Sequence, residues 1–147
     1  MARSPNKSAK SPRLSPSLQL GRAVEWPATP QAAQIDRVPN PQKGTDYLVR
    51  FTVPEFTSIC PVTGQPDFAT ITIVYVPNRL CVEMKSLKLY FFSFRNRGIF
   101  YEGVINEILD DLVAVLKPRR ITVTGDFNVR GGTGATVTVS HPLKKAK

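Results

Sequence analysis

The sequence is poor in cysteine and histidine, with two cysteines and one histidine among 147 residues. Cys60 and Cys81 match no zinc or haem spacing, and His141 alone cannot complete a ligand set. We therefore predict no metal site. So few cysteines are typical of a reduced cytoplasmic protein, because small secreted domains commonly need disulfides.

Long hydrophobic runs are also missing. No apolar stretch reaches the roughly 18 residues of a membrane span, and the N-terminus lacks the hydrophobic segment of a signal peptide. We therefore predict neither membrane insertion nor secretion. At 147 residues and 41% hydrophobic content, the chain suits one domain with its own core.

Acidic residues are absent from residues 1–24, which carry five basic ones, and three lysines follow in residues 141–147. Eight of the nine net positive charges therefore lie in the two ends. We predict that residues 1–38 are a mostly disordered Ser/Pro-rich tail, that 39–140 form the domain and that 141–147 are a second basic tail. A transit peptide or an RNA-binding arm stays open for the N-terminal segment.

Two hydrophobic periods alternate along the rest of the chain. Period two predicts strands near residues 47–53, 69–75, 121–129 and 137–139, whereas spacing of three and four predicts helices over 87–94 and 105–116. The order is strand, strand, helix, helix, strand, strand. This predicts an α+β fold in which two helices cover one face of a four-stranded antiparallel sheet, with exposed edges that favour assembly and sites at subunit boundaries.

Cys60 and Asp67 lie in the loop "FTSICPVTGQPDF" between the first two strands. A returning loop can bring a thiol nucleophile beside a proton donor, and the two would then form a reactive pair. The alternatives are an inert cysteine and an aspartate that only stabilises its own turn.

Two further groups suggest a ligand. Lys85 and Lys88 share a helical stripe with Arg95, which suits a polyanionic cofactor or simply a solvated face. Glu102 lies in the first turn of the second helix, where the helix dipole alone favours a carboxylate. It could also accept paired N–H groups from a guanine-like or pterin-like edge.

The segments "LVRFTVPEFTSICPVTGQPDFATITIVYVP", "CVEMKSLKLYFFSFRNRGIFYEGVINEILDDL" and "GDFNVRGG" resemble the short, single-module QueF family of 7-cyano-7-deazaguanine reductases, over roughly residues 38–139. The family signature E-[SLM]-K-[SA]-h-K-[LY]-[YFW] is present at residues 83–90. The resemblance implies a tunnelling fold (T-fold) with a ββααββ subunit and a homo-oligomer of stacked pentameric rings. It also implies a cytoplasmic, NADPH-dependent enzyme that reduces the nitrile of 7-cyano-7-deazaguanine through a cysteine thioimide, for queuosine in tRNA.

The resemblance also implies roles for individual residues. Cys60 would be the nucleophile and Asp67 the acid, and neither a metal nor direct contact with nucleic acid is expected. The remaining assignments are substrate contacts for Glu102, Tyr101, Glu83 and Ser86, and NADPH contacts for Lys85, Ser86, Lys88 and Arg130.

Two positions depart from the family pattern. Many members have "FHE" where this chain has Phe100, Tyr101 and Glu102, so a phenol replaces an imidazole, and its reference pKa near 10 makes it a poor base. Many also have a second cysteine where this chain has Gly103 and Val104, so we predict no disulfide at Cys60.

Two other functions remain as alternatives. A GTP cyclohydrolase-like protein of the same fold would need Cys/His zinc ligands. A nucleic-acid-binding protein would instead act through the basic tails.

Overall fold

The structure, a computed structural model, describes residues 26–142. The first 25 residues of the predicted N-terminal tail and most of the C-terminal one lie outside this range. The elements are a 3₁₀ turn at Pro30–Ala32, strands β1 (Arg37–Pro39), β2 (Val49–Ile59), β3 (Pro66–Val76), β4 (Leu80–Val82), β5 (Arg120–Arg130) and β6 (Thr133–His141), and helices α1 (Met84–Phe92) and α2 (Tyr101–Leu116).

Four strands form one antiparallel sheet in the order β2-β3-β5-β6. Side chains alternate along them, and the inward set is buried, with Ile71, Ile73 and Val123 at most 1% exposed. Both helices pack on this face, α1 near β2 and α2 over β5 and β6. The predicted α+β class and the arrangement of helices on one face are confirmed.

The helix boundaries follow from local chemistry. Glu83 precedes α1, and its carboxylate accepts hydrogen bonds from two backbone N–H groups of the first turn. The last turn of α2 is followed by Lys117 in the left-handed conformation, with φ of 45°, and then by Pro118, which cannot continue a helix. Pro118 therefore prevents α2 from continuing.

The outer face of the sheet is polar along β5 and β6. Its cross-strand pairs on β5 and β6 join hydroxyl groups to each other or to a carboxylate: Thr122 with Ser140 at 2.9 Å, Thr124 with Thr138 at 3.1 Å, and Thr136 with Asp126 at 2.8 Å. Such pairs stabilise a sheet without apolar contact. The β5 and β6 part of this face therefore does not need an apolar cover.

A two-stranded sheet of β1 and β4 lies outside the sequence prediction. It belongs partly to the predicted tail, since residues 26–38 include the 3₁₀ turn, most of β1 and the buried residues Ile35 and Asp36. Asp36 N donates to Ser86 Oγ at 2.9 Å. The segment has a defined structure because it packs on the domain. The sequence did not predict these strands because three residues are too few to show a hydrophobic period.

Gly125 marks a close approach between β5 and α2. A Cβ there would overlap Ile105 Cδ1 and lie 3.0 Å from Phe127 Cε2, in a part of the core where Ile105 is 0% exposed. We expect Gly125→Ala to lower the free energy of unfolding by about 1–3 kcal/mol, because overpacking forces side chains off their rotamers. Chemical denaturation measures it.

Gly134→Ala is the matched control. Its Cβ would meet Val129 Cγ2 at an ordinary 3.5 Å, so stability should stay level or rise slightly. Equal stabilities for the two variants would show that Ile105 moves aside at no cost.

Candidate active site

The loop between β2 and β3 holds Cys60 in a fixed place. Cys60 N donates to Gln65 O at 2.8 Å and Gly64 N donates to Cys60 O at 2.9 Å, which closes the loop on itself. Gly64 has φ of 70°, a conformation that glycine adopts at little cost. Asp67 follows as the second residue of β3, directly opposite Ser58 of β2.

The segment before α2 is joined to the same loop. Ile59 N donates to Arg97 O at 2.9 Å, and Ile99 N donates to Ile59 O at 3.1 Å. This parallel pairing runs beside Cys60, so the first turn of α2, with Tyr101 and Glu102, is positioned next to the loop.

These elements line a half-open cavity of about 210 Å³. Five chemically active side chains line it, namely Cys60, Asp67, Tyr101, Glu102 and Arg130, and the apolar part of the wall comes from Pro61, Ile99 and Phe100. The structure thus brings together the predicted nucleophile, acid and anchoring carboxylate.

Asp67 is 4% exposed, yet it has charged and polar partners. Arg130 Nη1 lies 2.8 Å from Asp67 Oδ1, and the Tyr101 hydroxyl donates to the same oxygen at 2.9 Å. Burial of a carboxylate is tolerable here because a guanidinium and a hydroxyl replace lost water.

Hydrogen bonds lower the pKa of the Cys60 thiol to about 6. The Thr63 side chain contributes most, followed by the backbone N–H groups of Thr63 and Val62 and by the Arg130 side chain, while burial acts in the opposite direction. The same contact with Cys60 is the largest cause of a raised pKa at Arg130. Cys60 is therefore largely thiolate at neutral pH, which is the nucleophilic form.

Tyr101 and Glu102 differ in their surroundings. The Tyr101 ring stacks on Phe127, with centroids 3.8 Å apart and planes 12° apart. Burial, and then the hydrogen bond to Asp67, raise the pKa of the Tyr101 phenol, so it stays protonated. The exposed Glu102 carboxylate makes no hydrogen bond or ion pair with any residue in 26–142 and can accept from a ligand.

The signature on α1 is not part of this cavity. Glu83, 6% exposed, accepts from Lys85 N at 2.9 Å and from Ser86 N at 2.8 Å. Ser86, 0% exposed, donates to Glu83 O and accepts from Asp36 N, each at 2.9 Å. The polar groups of Glu83 and Ser86, both expected to contact ligands, are thus used to start α1 and attach the N-terminal segment.

A second cavity, of about 500 Å³, lies between α1 and β2 and shares no lining residue with the first. Lys88 and Arg95 line it together with the aromatic residues Trp26 and Phe92. The Arg95 guanidinium lies 4.7 Å from the centroid of the Phe92 ring, and that ring also contacts Trp26. Cations beside aromatic rings suit a phosphorylated nucleotide.

Arg130 has contacts that its sequence assignment does not include. It is expected at NADPH, which stays a prediction, and in the structure it contacts Asp67 and Cys60. The signal was available in the strand order, because β5 runs antiparallel to β3 and must end where β3 begins. No comparable sequence pattern indicated that Thr63 would bind Cys60 or that Phe127 would stack on Tyr101.

Among the described residues, no group of three or more His, Cys, Asp and Glu side chains could hold a metal ion. Within the same range, no helix has the length and hydropathy needed to cross a membrane.

The chain matches the family model described as QueF-like protein over residues 66–146. It is 61% identical over 132 residues to the NADPH-dependent 7-cyano-7-deazaguanine reductase of Rhodopseudomonas palustris (strain BisB5), covering 90% of this chain and 81% of that one. It is 62% identical over 116 residues to the protein of the same name from Bradyrhizobium diazoefficiens, covering 79% and 76%.

A solved structure gives independent support for the fold. The apo archaeosine synthase QueF-Like superposes with a TM-score of 0.61 at 23% identity, covering 65% of this chain and 94% of that one. At this identity the likeness concerns the fold alone, and it confirms the T-fold.

The reactivity of Cys60 should follow its local hydrogen bonds. In a Cys81→Ala background, we expect the alkylation rate with iodoacetamide to rise with pH around a midpoint near 6. Thr63→Val and Arg130→Met each remove a donor that favours the thiolate, so the midpoint should move to higher pH, and further for Thr63→Val. Rates measured between about pH 4 and 10 give the midpoint for each protein.

Arg50→Met is the matched control, since Arg50 is an exposed arginine of β2 outside the cavity. It should leave the midpoint in place. An unchanged midpoint in Arg130→Met would mean that this guanidinium does not stabilise the thiolate.

Glu83 offers a test of a structural role. We expect Glu83→Ala to lower the free energy of unfolding by about 0.5–2 kcal/mol, as loss of a helix cap does. The Cys60 alkylation midpoint should not move, because Glu83 lies outside that cavity. Glu55→Ala, at an exposed position of β2, is the control for both measurements. Full stability in Glu83→Ala would contradict the capping role.

Proposed function

Because the chain belongs to the QueF-like protein family, we propose that it is an NADPH-dependent reductase that converts the nitrile of 7-cyano-7-deazaguanine to an aminomethyl group, for queuosine in tRNA. The observation that carries the proposal is the Cys60 thiol, with a pKa of about 6, in one cavity with Asp67 and the free Glu102 carboxylate. The proposal places the protein in the cytoplasm, where NADPH is available.

Glu102 anchors the substrate in this proposal. A carboxylate with unused lone pairs accepts the ring and amino N–H groups of a guanine-like edge. Its place in the first turn of α2, beside Cys60 in the cavity wall, supports a pose in which the opposite side of the base presents its nitrile to sulfur.

The Cys60 thiolate then adds to the nitrile carbon. One C–S bond forms, one π bond of the C≡N group breaks, and Asp67 supplies the proton that nitrogen takes up, which gives a thioimide. One hydride then converts the thioimide to a tetrahedral adduct, expulsion of sulfur releases the Cys60 thiolate and leaves an imine, and the second hydride reduces that imine. The balance over the whole reaction is two hydrides and two protons per nitrile.

NADPH supplies the two hydrides. Lys88 fits this cofactor, since it is exposed and lines the aromatic 500 Å³ cavity beside Arg95. Lys85 is on the same helix and would add charge for the phosphates. Ser86 does not fit, because its hydroxyl is buried and used within the chain, and Arg130 serves Asp67 and Cys60 instead.

We further propose that the protein assembles into stacked pentameric rings with sites between subunits. Three features support it. The edge strands β2 and β6 are 11 and 9 residues long, and each offers unpaired backbone groups on one side. Exposed apolar residues flank the Cys60 cavity in sequence: Val62, Phe68, Phe100 and Val129. The proposed cofactor cavity is separate from Cys60 within one chain, so a neighbour would have to join them.

Two equivalents of NADPH should be oxidised per 7-cyano-7-deazaguanine consumed, because a nitrile needs two hydrides to become an amine. Without NADPH, the substrate should add its own mass to Cys60. We expect Cys60→Ala to lose both the adduct and turnover, and Cys81→Ala to keep both. Absorbance at the NADPH band and intact-protein mass spectrometry measure the two results.

Deletion of residues 1–25 tests the alternative in which the basic tail carries the function. The deletion keeps the packed segment that begins at Trp26. Turnover should survive this deletion. Its loss, together with loss of nucleic-acid binding, would favour a function carried by the tail. An adduct on Cys81 would reassign the nucleophile.

A further inference from the structure

We propose that Tyr101 is a positioning residue for Asp67. The Tyr101 hydroxyl and the Arg130 guanidinium both bind one oxygen of the Asp67 carboxyl group, so proton transfer is assigned to the other oxygen. This rests on the proposed function. It replaces the substrate contact that the family resemblance implies for Tyr101.

The first support is that both donors go to the same atom. Tyr101 Oη and Arg130 Nη1 lie 2.9 Å and 2.8 Å from Asp67 Oδ1. Within residues 26–142, Oδ2 receives neither of these bonds. A carboxyl oxygen that accepts two strong donors has little capacity left for a proton, so Oδ2 is the atom that carries it.

The second support is that the Tyr101 ring cannot easily turn away. It stacks on Phe127, which is 5% exposed and belongs to the core. Its backbone is fixed as the first residue of α2, after a segment that pairs with Ile59. Because ring stacking and the backbone both fix its position, the Tyr101 hydroxyl donates to Oδ1 without a new loss of conformational entropy in each turnover.

The other groups around Asp67 agree with this division. Arg130 approaches from β5, Cys60 from the loop, and Glu102 from α2 across the same cavity. On β2, directly opposite Asp67, Ser58 is 0% exposed and its hydroxyl has no hydrogen-bond partner in the described chain. Tyr101 and Arg130 are thus the two groups that fix the orientation of the Asp67 carboxyl.

Tyr101→Phe tests the proposal because it keeps the ring and its stacking but removes the hydroxyl. We expect the rate of adduct formation on Cys60, and kcat, to fall about tenfold or more, the range for a hydrogen bond to a charged group, while KM changes by less than about threefold. Tyr101→His should recover part of the rate, since an imidazole N–H can also donate to a carboxylate.

Tyr47→Phe is the matched control. It also removes a phenol that donates to a side-chain oxygen, that of Asn40 at 2.6 Å, but outside the cavity, and it should keep both rates. Wild-type rates in Tyr101→Phe would overturn the proposal. A raised KM with unchanged kcat would also overturn it, and would make Tyr101 a substrate contact.

A double-mutant cycle separates this proposal from the proposed function. Tyr101→Phe and Asp67→Asn, alone and together, should show a coupling in unfolding equal to about a tenfold change in the equilibrium constant, whether or not the protein is a reductase. Tyr47→Phe with Asp67→Asn should show none. An absent coupling for Tyr101 overturns the positioning role, whereas a coupling without any adduct or turnover in wild-type protein refutes only the reductase.

Discussion

The antiparallel pairing of β3 with β5 is the constraint on which the site depends. β3 begins one residue before Asp67, and β5 ends at Arg130, so the register brings a buried carboxylate and a guanidinium together at one end of the sheet. Arg130 Nη1 lies 2.8 Å from Asp67 Oδ1, and this contact fixes the carboxyl group in its place away from bulk water. The same guanidinium favours the thiolate at Cys60, so Arg130 acts on both the proposed nucleophile and the proposed acid.

The family signature on α1 divides into residues that build the helix and residues that face outward. Glu83 and Ser86 form a buried network with the backbone and with Asp36, whereas Lys88 is exposed at the larger cavity. A shared motif therefore does not imply a shared role. Here the alternation of buried and exposed positions along one turn separates the two kinds of residue.

The sequence predicted the elements in which a hydrophobic period repeats over many residues. It also predicted the proximity of Cys60 to Asp67, because seven residues across a returning loop leave few other places for the carboxylate. It could not predict the contact of Tyr101 with Asp67, which depends on how the segment before α2 pairs with Ile59. Glu83 escaped notice as a cap because glutamate is not among the preferred N-cap residues. Arg130 was assigned to the cofactor by resemblance alone, and the strand order would have added its contact with Asp67.

The hydroxyl pairs on the outer face of the sheet also limit how chains can associate. Thr124 and Thr138 satisfy each other, and Thr136 satisfies Asp126, so this surface gains nothing by excluding water. If strand edges join neighbouring chains, these faces would line a hydrated lumen. Contacts between chains would then be made by the strand edges and by the exposed apolar residues around the Cys60 cavity. Residues lining the lumen could differ in sequence as long as they remained polar.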